Sequence, residues 1–183
     1  MFNTTLCYIE QDGKYLMLYR NKKKNDINEG KWIGIGGKFE KDETPEQCLL
    51  REVYEETGLK LTSYQYRGLI HFIPDSAESE DMYLYTADGF TGTMIPCNEG
   101  ELKWIDKKDI FSLNLWEGDK VFLKKLLNEE SGFEISLYYE VSLSPVSSYT
   151  SRRRHCSGVS SFSNLPPIPI HLPSFMSFFF LLR

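Results

Sequence analysis

The sequence predicts an α/β domain over residues 1–141, followed by a tail of different composition over residues 142–183. Segments rich in β-branched and aromatic residues recur along the domain. Two segments with apolar residues at helical spacing, residues 45–57 and 116–128, interrupt them. Strand patterns that alternate with helix patterns are typical of a sheet covered by helices. With 183 residues, of which 41% are hydrophobic, the chain can build a substantial core.

The first element is a predicted hairpin. Residues 4–10 and 14–20 read as strands, and Asp12 and Gly13 between them are typical of a tight turn. The following residues, 20–30, are polar and predict a loop. Its lysines form a solvated charge run or, because the loop precedes the next strand, overhang a site. In the second case Arg20 and Lys23 would help to neutralise phosphates.

A glycine-rich segment comes next. Residues 31–39 predict a strand that contains Gly36 and Gly37. Glycine has no side chain, so the backbone at these positions can approach a ligand closely. The segment is therefore a candidate wall of a binding site.

The first helix has clear start and stop signals. Thr44 is a good N-cap residue, and Gln47 completes a capping box with it. Pro45 occupies the first helical position, where its missing N–H has no cost. Gly58 follows the last turn as a C-terminal stop. These signals predict a helix over residues 45–57.

The faces of this helix differ in chemistry. One face is expected to contact the core and carries four residues at helical spacing: Leu49, Leu50, Val53 and Thr57. A second face carries Glu52, Glu55 and Glu56, whose like charges repel each other and oppose the helix dipole. This cluster is either a solvated acidic face or a cation site. Carboxylate oxygens suit Mg²⁺ or Mn²⁺.

The remaining elements are less strongly marked. Residues 61–73 and 82–87 predict strands, with Asp88 and Gly89 closing the second. A second helix is predicted with a core-facing stripe of Val121, Phe122, Leu126 and Leu127. Further elements are expected at residues 101–105 (strand), 107–113 (helical turn), 116–128 (the second helix) and 132–140 (strand).

The residues around the acidic face carry a family resemblance. Gly37, Glu43 and the run Arg51-Glu52-Val53-x-Glu55-Glu56-x-Gly58-Leu59 match the Nudix box at all nine defined positions across 23 residues. The sequence therefore resembles the Nudix hydrolase superfamily. The run GKWIGIGGKFE is similar to the MutT-type branch, which hydrolyses oxidised purine nucleoside triphosphates. The resemblance implies an α/β/α sandwich with a mixed, curved sheet.

The resemblance also implies a divalent-metal site, with Mg²⁺ or Mn²⁺ as cofactor. Glu52 and Glu56 would be the main ligands, and Glu55 would bind a second ion or accept a proton from water. The backbone carbonyl of Gly36 would join them. For a further carboxylate we choose Glu99, judged from its separation from Trp104 along the sequence, and Glu101 is the rival. The catalytic set is completed by Arg51, which would orient a carboxylate, and Glu43.

The second helix is expected to border a base pocket. In the resembling purine enzymes a Trp at the place of Trp116 stacks on the base, and a neighbouring Asp, here Asp119, bonds its edge. Without that resemblance, Trp116 would be a core residue and Asp119 a first-turn anion. Gly37 and Lys38 complete the expected substrate-binding set. Ile33 departs from some relatives, which place there an Asn that reads the purine.

The implied reaction is hydrolysis of a nucleoside triphosphate to the monophosphate and pyrophosphate, with 8-oxo-dGTP as an example and sanitation of the nucleotide pool as the role. One alternative is a Nudix hydrolase for ADP-ribose, a dinucleoside polyphosphate or a pyrimidine dNTP. Another is a non-enzymic nucleotide-binding module. Such modules typically lose box carboxylates, whereas this sequence keeps them all.

Charge and cysteine content restrict partners and location. Residues 1–141 hold 26 acids against 17 Lys and Arg, and this net charge of −9 argues against general nucleic-acid binding. The four cysteines form no CxxC pair, which is typical of reduced thiols in the cytoplasm. The beginning of the sequence has no signal-peptide pattern. We expect a cytoplasmic monomer or homodimer that binds a small nucleotide and no membrane.

The tail changes composition abruptly. Residues 142–183 contain eleven Ser, five of the eight Pro, four Arg and no acid. Such a composition predicts a disordered segment. The apolar run at residues 175–182 is far shorter than the ~20 residues of a membrane span.

We predict that a chain ending at Val141 retains catalytic turnover, because every motif residue precedes that position. The shortened chain is also expected to be at least as soluble, since it lacks the apolar run at residues 175–182. Comparing kcat/KM and thermal midpoint with those of the full chain tests this. A large loss of either in the short form would show that the tail belongs to the fold.

Overall fold

A seven-stranded mixed sheet with one helix on each face forms the structure, a computed structural model that describes residues 1–23, 26–75 and 77–139. The tail, residues 142–183, lies outside the described residues. The helices are α1 (Pro45–Thr57) and α2 (Asp119–Leu127), with a 3₁₀ turn at Lys107–Ser112. The strands are β1 (Phe2–Gln11), β2 (Lys14–Arg20), β3 (Trp32–Ile33), β4 (Leu59–Pro74), β5 (Glu80–Gly92), β6 (Gly100–Asp106) and β7 (Phe133–Tyr139).

The strand order is β3-β2-β1-β5-β4-β7, and β6 pairs with the other edge of β2. The pairs β1–β5 and β4–β7 are parallel, whereas the other strand pairs are antiparallel. The predicted hairpin is confirmed as β1 and β2, joined at Asp12 and Gly13, which both have positive φ. The sheet is therefore mixed, as expected.

The side-chain alternation of β1 separates two cores. Cys7 and Ile9 point to the face covered by α1, where Leu49 and Val53 are buried. Leu6 and Tyr8 point to the opposite face, which α2 covers. The buried residues of α2 are Phe122, Leu123 and Leu126. This arrangement confirms the α/β/α sandwich.

The segment that follows β3 enters a fork between β1 and β2. These two strands pair directly only near their turn, and β3 then takes the place of β1 beside β2. Ile35 and Lys38 cross over to form bridges with Cys7 and Thr4 of β1. The predicted continuous strand over residues 31–39 is therefore wrong, because the segment changes its partner strand halfway.

Glycine makes this crossing possible. A Cβ on Gly36 would lie 2.0 Å from the carbonyl oxygen of Thr5, and one on Gly34 would lie 2.8 Å from that of Cys7. Both contacts are too close for any side chain. The fork therefore brings the backbone of residues 34–37 against the sheet and beside α1.

The helix α1 has the predicted bounds, with the capping box of Thr44 and Gln47 formed and Gly58 in the left-handed conformation. One core assignment is wrong: Leu50 is 40% exposed, and Cys48 is buried instead. Each helical residue advances roughly 100° around the axis. The buried arc extends from Cys48 through Leu49 and Val53 to Thr57, and Leu50 lies just beyond its edge.

Two other predictions need correction. Helix α2 begins at Asp119, so Trp116 lies on the preceding segment, and Leu123 joins the core stripe. Strand β5 continues through Asp88 and Gly89, because irregular pairing in β4 around Ser63 lets both strands run on. The described helices include none long and apolar enough to cross a membrane. The cysteines in this part of the chain, Cys7, Cys48 and Cys97, are free thiols.

We predict that Gly58→Ala destabilises the fold more than Gly13→Ala does. Both glycines have φ near 74°, where a non-glycine residue costs ~1–2 kcal/mol. A Cβ at Gly58 would also lie 2.8 Å from the carbonyl oxygen of Thr93, whereas nothing lies within 4 Å of one at Gly13. Overpacking adds about 1–3 kcal/mol. Urea unfolding of both variants measures the difference, and equal losses would contradict the packing of the 93–95 loop against α1.

Candidate functional site

The acidic face of α1 lies against the glycine segment of the fork. The backbone N–H of Gly36 donates a hydrogen bond to Oε2 of Glu56 at 3.2 Å. A Cβ on Gly37 would lie 2.5 Å from the carboxylate of Glu52. With glycine at position 37, the carboxylate of Glu52 lies directly against the backbone. The fork and α1 together therefore place two glutamates beside the partly buried backbone of Gly36 and Gly37.

Arg51 binds the carboxylates around it. Its Nε and Nη2 donate to the two oxygens of Glu43, each at 2.8 Å, in a bidentate pair. Its Nη1 donates to Glu52 at 2.7 Å and to Glu55 at 3.2 Å. The bidentate pair with Arg51 lowers the pKa of Glu43 to about 2. A further hydrogen bond, from Nη2 of Arg51 to the carbonyl of Lys38 at 3.0 Å, connects α1 to the glycine segment.

Glu56 is the most deeply placed carboxylate of the cluster, with 8% of its surface exposed. Burial raises its pKa to about 8, and repulsion from Glu99 adds to the shift. Burial also raises the pKa of Glu52, against the opposing effect of Arg51. Both carboxylates are thus costly to ionise, and a cation beside them would remove that cost.

The oxygen-only donor set fits a hard cation such as Mg²⁺. Within the described residues, however, no three His, Cys, Asp or Glu side chains are arranged as a complete metal-binding group. Arg51 holds Glu52 and Glu55 in the present arrangement. Cation binding would therefore require rotation of these side chains toward Glu56.

The loop before β6 brings Glu99 to the cluster. Glu99 accepts hydrogen bonds from Arg20 Nη1 and, at 3.4 Å, from Lys23 Nζ, and its charge raises the pKa of Glu56. The rival, Glu101, instead binds Asn21 and Lys103 on the exposed surface. The structure thus favours Glu99 over Glu101 as the additional carboxylate.

Trp116 lies at the other end of the glycine segment. Its Nε1 donates to Oδ1 of Asn28 at 2.8 Å, and Lys31 Nζ lies 4.7 Å from its ring centroid. Lys31 in turn donates to Asn114 and to the carbonyl of Leu115. Trp116 is only partly buried, so its ring retains accessible surface.

Asp119 begins α2 and is 6% exposed. Burial raises its pKa to about 7, which the positive charge of Lys31 partly offsets. Tyr8, which packs on the same side of the sheet, carries the one buried side-chain polar atom in the described residues that has no hydrogen-bond partner. Asp119 is therefore a carboxyl poised to exchange a proton near neutral pH.

The acidic cluster around Glu56 and the ring of Trp116 lie at opposite ends of the segment from Lys31 to Gly36. From Lys31, beside Trp116, to Gly36, beside Glu56, the chain spans at most about 17 Å. That reach suits an extended nucleotide with its base at one end and its phosphates at the other.

Some expected phosphate-binding residues lie elsewhere. Arg20 is buried and bound to two carboxylates, Asp26 and Glu99, instead of facing open space. The Nζ atom of Lys38 lies 4.1 Å from the ring centroid of Phe2. Lys23 is exposed at the rim. No local pattern indicated that Asn28 and Lys31 contact Trp116 and its neighbours, because their partners come from the distant segment 114–116.

The sequence of this chain is similar to those of proteins from one known family. The family model of the NUDIX domain matches residues 3–126. A Nudix hydrolase of Bacillus subtilis, YvcI, whose function is uncharacterised, is 34% identical over 120 residues, which are 63% of this chain and 72% of the relative. An oxidised purine nucleoside triphosphate hydrolase of Danio rerio is 31% identical over 127 residues, which are 69% of this chain and 80% of the relative.

A solved structure, the MutT protein of Bacillus halodurans, aligns with a TM-score of 0.70 and 24% identity. The alignment covers 80% of this chain and 95% of the MutT chain. This likeness concerns the fold. It agrees with the mixed sheet and the two flanking helices described above.

We predict that Asp119 makes stability depend on pH. Its pKa is raised from 3.8 to about 7 in the folded state, so folding is favoured while it is protonated. That stability is present below about pH 4 and is lost as the pH rises through about 7, by up to ~4 kcal/mol. Urea unfolding between pH 4.5 and 8 is expected to show a larger loss in the native chain than in Asp119→Asn, where only the other buried carboxyls, such as Glu56, still contribute.

The matched control is Asp109→Asn, at an exposed acid in the 3₁₀ turn. This variant is expected to keep the pH dependence of the native chain. If Asp119→Asn lost as much stability over this pH range as the native chain, the carboxyl of Asp119 would be solvated and not buried.

Proposed function

The chain belongs to the Nudix family of pyrophosphohydrolases, and on that premise we propose that it hydrolyses purine nucleoside triphosphates, oxidised ones such as 8-oxo-dGTP included, to the monophosphate and pyrophosphate. The observation that carries the proposal is the juxtaposition of Glu56, Glu52 and Glu99 around the Gly36–Gly37 backbone. The partial burial of Trp116 at the far end of that stretch supports a base subsite.

We place this activity in residues 1–141 and in the cytoplasm, on free nucleotides. The net charge of −9 over these residues disfavours binding to nucleic acid, which is itself an anion. We expect the protein to act as a monomer or homodimer.

Glu52, Glu56 and Glu99 would hold a divalent cation, Mg²⁺ or Mn²⁺, with Glu55 at the exposed edge of the cluster. A bound cation would supply charge neutralisation for the phosphates and would make a nearby water more acidic. Without the cation, the three carboxylates would repel a polyphosphate. The proposal therefore makes binding of the phosphates conditional on the cation.

The protein's own groups orient the carboxylates. Gly36 N–H fixes one oxygen of Glu56, and Arg51 holds Glu52 in a direction set by its planar guanidinium. Any of the box glutamates that is not bound to the cation is a candidate to accept a proton from water. The set Glu52, Glu55 and Glu56 stays open for that role.

At the other end, the base would stack on Trp116. Lys31 Nζ lies over one face of the ring, so we propose that the base uses the opposite face. Asp119 would bond the base edge, and its pKa of about 7 lets it act as donor or acceptor near neutral pH. Ile33 contributes no side-chain hydrogen bond.

A second substrate class stays open because two positions, Ile33 and Gly118, lack the polar side chains that some oxidised-purine relatives carry there. ADP-ribose, dinucleoside polyphosphates and pyrimidine dNTPs are the rival substrates. A panel of these compounds and of purine dNTPs, with Mg²⁺ and product identification, separates them. Release of pyrophosphate from purine triphosphates, oxidised or not, is the expected result.

We predict that Glu56→Gln lowers turnover by orders of magnitude while the fold persists, because the amide keeps the shape and removes the charge that a cation needs. EDTA is expected to abolish turnover in the native chain. The control is Glu46→Gln, at an exposed acid in the first turn of the same helix, which is expected to retain activity. Near-normal turnover of Glu56→Gln, or full turnover in EDTA, would refute the site.

We predict that Trp116→Ala raises KM for the preferred purine about ten-fold or more, since base–aromatic stacking is worth ~1–3 kcal/mol. Trp116→Phe keeps an aromatic face and is expected to retain most of the discrimination between purine and pyrimidine substrates. Steady-state kinetics with both base types and a thermal midpoint for each variant give the test. If Trp116→Ala lowers the thermal midpoint and leaves the base preference unchanged, or does not fold at all, Trp116 is a core residue.

A further inference from the structure

We propose that Arg20 and Asp26 form a positioning pair that holds the phosphate end and the base end of the site in one geometry. The inference rests on the proposed function for the roles of Glu99 and Trp116. It assigns to Arg20 a task other than direct contact with phosphates, and it assigns to Asp26 and Asn28 a part in the site.

The pair is enclosed by protein. The side chains of Arg20 and Asp26 are 8% and 7% exposed, and Nε of Arg20 donates to Oδ2 of Asp26 at 2.6 Å. Nη1 of the same guanidinium donates to Oε2 of Glu99. One planar group thus joins the loop after β2 to the loop before β6. The guanidinium faces two carboxylates and has little surface left for a substrate.

A second set of hydrogen bonds runs from Asp26 to the base end. The other oxygen of Asp26, Oδ1, accepts the backbone N–H of Asn28 at 3.0 Å. Oδ1 of Asn28 then accepts Nε1–H of Trp116 at 2.8 Å. The contacts connect Glu99, Arg20, Asp26, Asn28 and Trp116 in that order.

Backbone hydrogen bonds anchor this series to β2. Gly30 N–H donates to the carbonyl of Arg20 at 2.7 Å, and Arg20 N–H donates to the carbonyl of Lys31 at 2.9 Å. On the other side, Lys22 N–H donates to the carbonyl of Glu99 at 3.3 Å. The phosphate end and the base end of the site are therefore both anchored to Arg20, the last residue of β2.

The physical chemistry of buried charge makes the pair sensitive. Removing one partner of a buried pair leaves an uncompensated charge, and the remaining groups must move to solvate it. Lysine cannot replace arginine, because a single ammonium cannot reproduce the fixed fork that reaches two separate carboxylates. Loss of Asp26 is therefore expected to release Asn28 and, through it, the indole of Trp116.

The test reads the indole N–H directly in the full-length protein without nucleotide or metal. Trp32, Trp104 and Trp116 are the three tryptophans, so a ¹⁵N-labelled chain shows three indole signals, and Trp116→Phe identifies the third. Asp26→Asn is expected to shift or broaden the Trp116 signal and leave the other two in place. Arg20→Lys is expected to do the same.

The matched control is Asn21→Ala. Asn21 follows Arg20 and also bonds across to the 99–101 region, at Glu101, but on the exposed surface. All three indole signals are expected to stay unchanged in this variant. If Asp26→Asn does not fold, Asn28→Ala tests the same connection at the next contact, and an unmoved Trp116 signal there would overturn the proposal.

Kinetics distinguish positioning from phosphate contact. Under the proposal, Asp26→Asn and Arg20→Lys both lower kcat/KM at least ten-fold, and both reduce the preference between purine and pyrimidine substrates. If Arg20 contacts phosphates instead, Arg20→Lys retains most activity and Asp26→Asn, which frees the guanidinium, does not lower it. That result, or an unmoved Trp116 signal in Asp26→Asn, overturns the proposal. Inactivity of the native chain on every nucleotide would count against the proposed function alone, because the indole measurement needs no substrate.

Discussion

The structure depends on the entry of residues 34–37 into the fork between β1 and β2. The chain around this segment makes two strand pairings in succession, first with β2 through Trp32–Ile33 and then with β1 through Ile35 and Lys38. The contact of Gly36 with the backbone of Thr5 is possible only without a side chain. As a consequence, peptide groups lie beside the carboxylates of α1. A strand that continued along β2 would have left the acidic face of the helix without these neighbours.

Electrostatics set the second constraint. Glu52, Glu56 and Glu99 share a partly dehydrated region, in which burial raises the pKa of Glu52 and of Glu56. Two arginines limit the repulsion from opposite sides. Arg51 binds carboxylates along α1, and Arg20 binds Glu99 from β2. The cluster is thus held together by the protein but left short of positive charge at its centre, which is the condition for binding a cation.

Local signals allowed parts of the fold to be predicted. The hairpin and α1 were correct because Asp12, Gly13, the capping box and Gly58 act within a few residues of themselves. The strand over residues 31–39, the end of β5 and the start of α2 were wrong. The first two depend on distant partners, β1 and the irregular β4, whereas the third depends on the turn between Leu115 and Asp119.

The sequence by itself determined the family of this chain and which carboxylates share one face of α1. The placement of Glu52, Glu55 and Glu56 on one helix, with Arg51 beside them, follows from helical geometry and needs no distant contact. Tertiary structure decided which other groups join them. Glu99 rather than Glu101, the enclosure of Arg20 and the contact of Asn28 with Trp116 arise from loops that meet across the sheet. Side-chain direction in such loops depends on packing between distant segments, which no local pattern encodes.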